Sequence, residues 1–169
     1  MISLDLLLEA ARLKALPRAG WVRKGVANPE TVGSHSWGVA WLVLALAPED
    51  LDRGKALAYA TLHDLAEVRV GDITPVDRVS PDEKARRERA AIAAMAPQLL
   101  PLWDSFEALA DREARFVREV DKLDMALQAL GYHLAGQKGM GEFVDSAEAA
   151  VHDPALRPWI ATIRSRMSG

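Results

Sequence analysis

The chain has 169 residues, half of them hydrophobic, and a formal net charge of −3. That length supports one domain with a substantial core, read here as residues 1–169, and the charge gives no basic face for sequence-independent nucleic-acid binding. With no cysteine, disulfides, thiolate-bound zinc and a thiol nucleophile are excluded.

Punctuation by proline and glycine predicts helices in series. Residues 3–15 form the first, stopped near Pro17. Its Asp5 and Glu9 do not suit a secretory signal, so a cytoplasmic location is expected. A loop rich in Gly, Pro, Arg and Lys spans Pro17 to Gly33, with Arg23 and Lys24 expected as surface charges. A second helix runs from Ser34 to Pro48 with His35, Val39, Leu42 and Leu46 on one stripe. The apolar run from Gly38 to Ala47 is shorter than the ~20 residues of a bilayer span, so no membrane partner is expected. A third helix is predicted from Asp52 to Val68, closing at Gly71.

Ser80, Pro81 and Glu83 form a capping box with proline at the first helical position, opening a helix to Met95. Pro97 and Pro101 break the next stretch. A long helix from Asp111 carries Phe116, Val120, Leu123, Leu127 and Leu130 up to the glycines at 136, 139 and 141, and one or two helices finish the chain around Pro154 and Pro158. No segment alternates with period two, so the fold class is all-α. Trp41, Trp103, Phe106, Phe116 and Trp159 are expected in the core or at an interface, and His133 and His152 on the surface.

The chemistry concentrates at His63, Asp64 and Glu67. Spacings of i, i+4 and i, i+3 put these side chains over one patch of a helix. Ala56 and Ala60 lie on the same face and leave room above it. Burying two carboxylates beside an imidazole costs several kcal/mol (~3–5) unless a cation compensates. The alternative is that Asp64 and Glu67 point at solvent. Asp121 lies between the apolar neighbours Val117 and Met125, and Asp124, one turn on, reads either as a competing ligand or as a solvated acid. With His35, the set offers two imidazoles and two carboxylates, suited to Mn, Fe, Co, Ni or Zn.

His35, then His63-Asp64, then Asp121 resembles the H…HD…D signature of the HD-domain phosphohydrolases. Pro17-Arg18, His35-Ser36-Trp37, His63-Asp64-Leu65-Ala66-Glu67, Gly71-Asp72-Ile73-Thr74-Pro75 and Asp121-Lys122-Leu123 narrow the resemblance to the 5′-deoxynucleotidase branch, from about residue 10 to 135. It implies an HD-type bundle of about six to eight helices. It makes His35, His63, Asp64 and Asp121 the metal ligands. Two-metal members usually supply further histidines before the last Asp; none lies between Asp64 and Asp121, so one divalent metal per subunit is expected.

By the same resemblance, Glu67 and Asp72 are non-ligating acids, near the attacking water and the scissile phosphate. Glu67 would accept the water's proton and Asp72 would protonate or position the leaving oxygen. Arg18 and the Asp72–Thr74 loop match substrate-contacting positions, and a guanidinium suits phosphate oxygens; the plainer reading of Arg18 is a surface charge in a basic loop. Two positions depart from the pattern. Ser34 stands before the first histidine where an acid is common, and Ala19 stands where some members carry an aromatic that discriminates against a ribose 2′-hydroxyl. Trp21 is expected to swing into that gap and give a modest preference for deoxyribose.

The reading is a homodimeric hydrolase of nucleoside 5′-monophosphates. The competing readings are another HD phosphohydrolase, such as a phosphodiesterase or nucleotide pyrophosphatase, and a non-catalytic nucleotide-binding HD module.

Overall fold

The computed structural model describes residues 3–168, and every regular element among them is helical. Five of the α-helices start on side-chain caps. Ser3 accepts from the Leu6 amide and opens α1 (Leu4–Ala11), which tightens into a 3-10 turn over Arg12–Ala15 before Pro17. The stretch predicted as loop holds a short helix, α2 (Ala19–Arg23). It is tied down where Pro17 pairs with Thr31 and the Arg18 amide donates to the Glu30 carbonyl. Thr31 caps α3 (Val32–Leu46), and Asp52 caps α4 (Arg53–Leu62).

The third predicted helix does not run through to Val68. After Leu62 the backbone tightens: the Leu65 amide bonds to the Leu62 carbonyl and the Glu67 amide to that of Asp64, before α5 (Glu67–Val70) ends at Gly71, whose φ is +79°. Bonds at i−3 spacing turn the chain by about 120° per residue, so residues three apart eclipse. Asp64 and Glu67 therefore share a direction, whereas His63 and Glu67 do not lie on one regular helix face.

Ser80 caps α6 (Pro81–Met95) as expected, but Glu83 turns to Arg86 and Arg87 instead of closing the box. Pro101 sits in the first turn of α7 (Leu100–Glu107), where a missing amide hydrogen costs nothing. Asp111 caps α8 (Arg112–Leu134), and α9 (Gly141–Ala150) and α10 (Arg157–Ser168) complete the chain, with Pro158 again in a first turn. Ten α-helices are thus described, eight of them at least eight residues long.

Helix α8 is the spine. It packs against α3 and α4 on one side and α9 and α10 on the other. Val117, Val120, Leu123, Ala126 and Ala129 are buried along it. Ala56 and Ala60 are fully buried in this core, so their small size serves helix packing rather than leaving room over a site. A second cluster, Leu62, Ala66, Ala91, Ile92 and Trp103, joins α6 and α7 to the tightened turn. Of the aromatics, Trp103, Phe106 and Phe116 are core, while Trp41 and Trp159 are exposed. No helix among the described residues is long and apolar enough to cross a membrane.

Candidate metal centre and active-site cavity

Three segments distant in sequence meet at one point. His35 comes from α3, His63 and Asp64 from the end of α4, and Asp121 from the middle of α8. His35 Nε2 lies 3.1 Å from Asp121 Oδ1 and 3.6 Å from Asp64 Oδ2, and His63 Nε2 lies 3.2 Å from Asp64 Oδ2. The two Nε2 atoms are 3.4 Å apart.

Both imidazoles have their other nitrogen engaged. His63 Nδ1 donates to the Ala60 carbonyl at 2.9 Å, and His35 Nδ1 donates to Asp124 Oδ2 at 2.7 Å. That assignment leaves two Nε2 lone pairs aimed at each other and at two carboxylates, a set that repels itself unless a cation sits among them. Ligands held about 2.1 Å from one ion at tetrahedral to octahedral angles stand about 3.0–3.4 Å apart, which brackets three of these four separations. The residues fit a divalent metal.

Asp124 is neither a competing ligand nor a solvated acid. It is buried on the far side of the His35 ring, where it and Glu30 flank Nδ1. The i, i+3 spacing from Asp121 put it on the right helix face, but only the fold places His35 between the two carboxylates.

Charge sets the protonation. Burial and the Arg18 cation work against a protonated His35, but hydrogen bonds to Asp121 and Asp124 outweigh them and push it up to about 10 in the absence of metal. Burial raises the Asp64 carboxyl, yet His63, His35 and Arg18 hold it well below the usual carboxylate range. Asp121 is lowered in the same way, with Lys122 the strongest opposing charge to burial. For Glu67 the relief from Arg18 and Lys84 is too small. It is 4% exposed, its Oε2 has no hydrogen-bond partner, and burial together with Asp64 and Asp72 pushes it up to about 10.

His63, Asp64 and Asp121 form the floor of a cavity of about 320 Å³, with His35 buried behind them. Arg18, Glu67 and Asp72 stand beside it, Thr74 and Arg23 line the cavity with them, and Trp21, Met125 and Phe143 make an apolar wall. Arg18 is no surface charge. Its side chain is 15% exposed, its Nη1 is 3.3 Å from Asp64 Oδ2, and four surrounding carboxylates keep it cationic against partial burial. Asp72 accepts from the Ala19 amide at 2.7 Å, so one of its oxygens anchors the start of α2. Thr74 receives Arg23 and is itself bonded to Asp77.

Trp21 lines the cavity but cannot swing. Its Nε1 donates to Glu30 Oε2 at 3.0 Å, and its ring packs against Tyr132 and Phe143 with centroids 5.2 and 4.3 Å away. Any sugar discrimination by Trp21 therefore uses a fixed indole.

Sequence reasoning missed Lys84, Arg118 and Lys122, which also line the cavity. Their charged helices look like ordinary solvated faces, and the only available signal was Lys122 next to a ligand. Arg23 is exposed, as expected, and also lines the cavity. His133 and His152 are not among its lining residues.

Residues 10–155 match the HD domain family. The chain is 35% identical to the 5′-deoxynucleotidase HDDC2 of Danio rerio, over 86% of this chain and 78% of that one, and 32% identical to its Homo sapiens counterpart, over 98% and 86%. It also superposes on the PH0347 protein of Pyrococcus horikoshii OT3 with a TM-score of 0.86 at 33% identity, covering 97% of this chain and 99% of that one. With four candidate metal donors at its centre and that likeness along nearly its whole length, the chain belongs to the HD-domain family.

Proposed function

We propose that the protein is a metal-dependent phosphomonoesterase that hydrolyses nucleoside 5′-monophosphates, deoxyribonucleotides included, to nucleoside and phosphate. The observation that carries this reading is the cavity's polarity. A cationic and metal-capable floor faces an apolar aromatic wall within a volume suited to one nucleotide. Relatives at 31–36% identity named 5′-deoxynucleotidases support the same reaction.

His35, His63, Asp64 and Asp121 would hold one divalent transition metal from the Mn to Zn series. Bound there, it supplies Lewis-acid charge to the phosphoryl oxygens and acidifies a water. Arg18, kept charged and half-buried at the cavity, binds phosphate oxygens and orients the ester. Glu67 takes the proton from the attacking water. Its carboxyl is held up at about 10 in the bare protein, and a cation held by the four donors would lower it to let it act as a base at neutral pH. Asp72 holds the Ala19 amide with one oxygen, and its other oxygen is the group for the leaving 5′ oxygen.

Met125, Phe143 and the fixed Trp21 receive the nucleoside. Trp37, Trp41 and Leu44 recur along one exposed face of α3, which favours a homodimer. Sedimentation velocity tests that inference, and a monomer at all concentrations contradicts it. Phosphate release from a panel of 5′- and 3′-monophosphates, triphosphates and cyclic dinucleotides tests the reaction. The 5′-monophosphates should lead. Faster cleavage of a cyclic dinucleotide than of any monophosphate contradicts it.

A further inference from the structure

We propose that Asp124 is the positioning residue for the metal, and that Gly38 is the clearance that lets it reach His35. The inference rests on the metal reading above and adds two residues to it. Asp124 lies on α8 one turn beyond Asp121, so a single helix presents one carboxylate to each side of the His35 ring. Asp121 Oδ1 is 3.1 Å from Nε2 and Asp124 Oδ2 is 2.7 Å from Nδ1. An imidazole gives a metal only the nitrogen that carries no hydrogen, and an acceptor on the other nitrogen fixes which one that is. Asp124 thereby commits Nε2 to the cluster and locks the plane of the ring.

Gly38 explains how the carboxylate fits. It lies inside α3, where glycine weakens a helix relative to alanine. Its backbone does not require glycine, because the glycines with positive φ are Gly25, Gly71, Gly136 and Gly139. Space does require it. A Cβ at position 38 would lie 2.2 Å from Asp124 Oδ1 and 2.9 Å from its Cγ. A methyl group there forces the Asp124 carboxylate, or the helix backbone, to shift. Gly38 and Asp124 are therefore one device, in which α3 gives up a side chain so that α8 can grip the histidine one turn earlier on α3. Glu30 extends the device toward the cavity. It sits beside Asp124 and His35 Nδ1 and accepts from the Trp21 indole, so the histidine's outer contacts connect to the wall of the substrate site.

The test is a comparison of Gly38→Ala, Asp124→Asn, Asp124→Ala and the Gly38→Ala/Asp124→Ala double variant, with circular dichroism confirming helix content. Zinc affinity is measured by chelator competition, and the His35 Nδ1–H resonance is followed by NMR in the zinc-loaded proteins. Loss of such an outer partner typically weakens metal binding by about 10–100-fold. Asp124→Ala and Gly38→Ala should each show a loss of that order, with the Nδ1–H signal shifted or lost, and Asp124→Asn, which keeps an acceptor oxygen, should recover part of it.

In the Asp124→Ala background, Gly38→Ala should cost nothing further, because the methyl then has room. If Asp124→Ala does not fold, Gly38→Ala and Asp124→Asn decide the matter. Zinc affinity and an Nδ1–H signal unchanged in Gly38→Ala overturn the proposal, as does an equal loss from Gly38→Ala with Asp124 absent. A native protein that takes up no zinc or other divalent transition metal overturns the metal reading instead.

Discussion

The Nε2 atoms of His35 and His63 face each other across 3.4 Å, each ring having given its Nδ1 hydrogen to a different acceptor. One acceptor is a side chain 89 residues away and the other a carbonyl in the preceding turn. Two lone pairs converging between Asp64 and Asp121 make the site a competition between protons and a metal ion, and that competition has a sign.

In the metal-free protein His35 is pushed up to about 10 from 6.5 and Glu67 up to about 10 from 4.5. Both folded values exceed the unfolded ones, so the native state binds more protons and its stability falls as pH rises. The contribution of His35 is fully present below about 6.5, that of Glu67 below about 4.5, and both are lost as pH approaches 10. A metal bound to Nε2 displaces the His35 proton, so stabilisation by metal grows with pH over the same range. Melting temperatures with and without metal should therefore diverge between pH 6.5 and 9, the metal-free curve falling. Calorimetry in buffers of different ionisation enthalpy should show about two protons released per metal bound at neutral pH, one from His35 and one from Glu67. Parallel curves and no proton release would count against the geometry.

Glu67→Gln removes a base without changing shape. The variant should retain the metal and lose about 10²–10⁴-fold in kcat. It should also flatten the pH dependence of metal-free stability above pH 4.5, because the amide does not titrate. A variant within twofold of native kcat would remove Glu67 from the mechanism.

Far from the site, Asp111 holds the start of α8 in place. It accepts from the Ala114 amide and the Tyr59 hydroxyl, both at 2.8 Å, and pairs with Lys55 at 2.7 Å. Partial burial raises its carboxyl, but these partners lower it to about 2 from 3.8. A depressed folded value stabilises above the unfolded one, so this contribution is present above pH 3.8 and lost as pH falls through 2. Asp111→Ala should cost about 1–2 kcal/mol at neutral pH, as loss of a strong N-cap does. Its denaturation midpoint should converge on the native one in acid. A constant difference down to pH 2 would contradict the assignment.

The legible part of the site was what lies close in sequence or in residue type: His63 with Asp64, the capped starts of α6 and α8, and the burial of Asp121. The break after Leu62 was not legible, because apolar spacing continues smoothly through a turn whose hydrogen bonds shorten from i−4 to i−3. Asp124 could not be assigned because its partner lies on another helix, and spacing along α8 alone treats a ligand and a ligand's support alike. Gly38 carried a readable signal, an isolated glycine in a helical apolar run, which points to a close approach without saying of what. Trp21 was placed correctly at the cavity but with a mobility that its contacts to Glu30, Tyr132 and Phe143 forbid.

The most direct test of the account is a titration of metal-stripped protein with Mn²⁺ or Co²⁺, following phosphate release from dAMP. Two nitrogens and two carboxylates converging on one point predict no turnover without metal and activity that saturates at one ion per chain. Undiminished turnover in the stripped protein, or saturation only at two ions per chain, would contradict it.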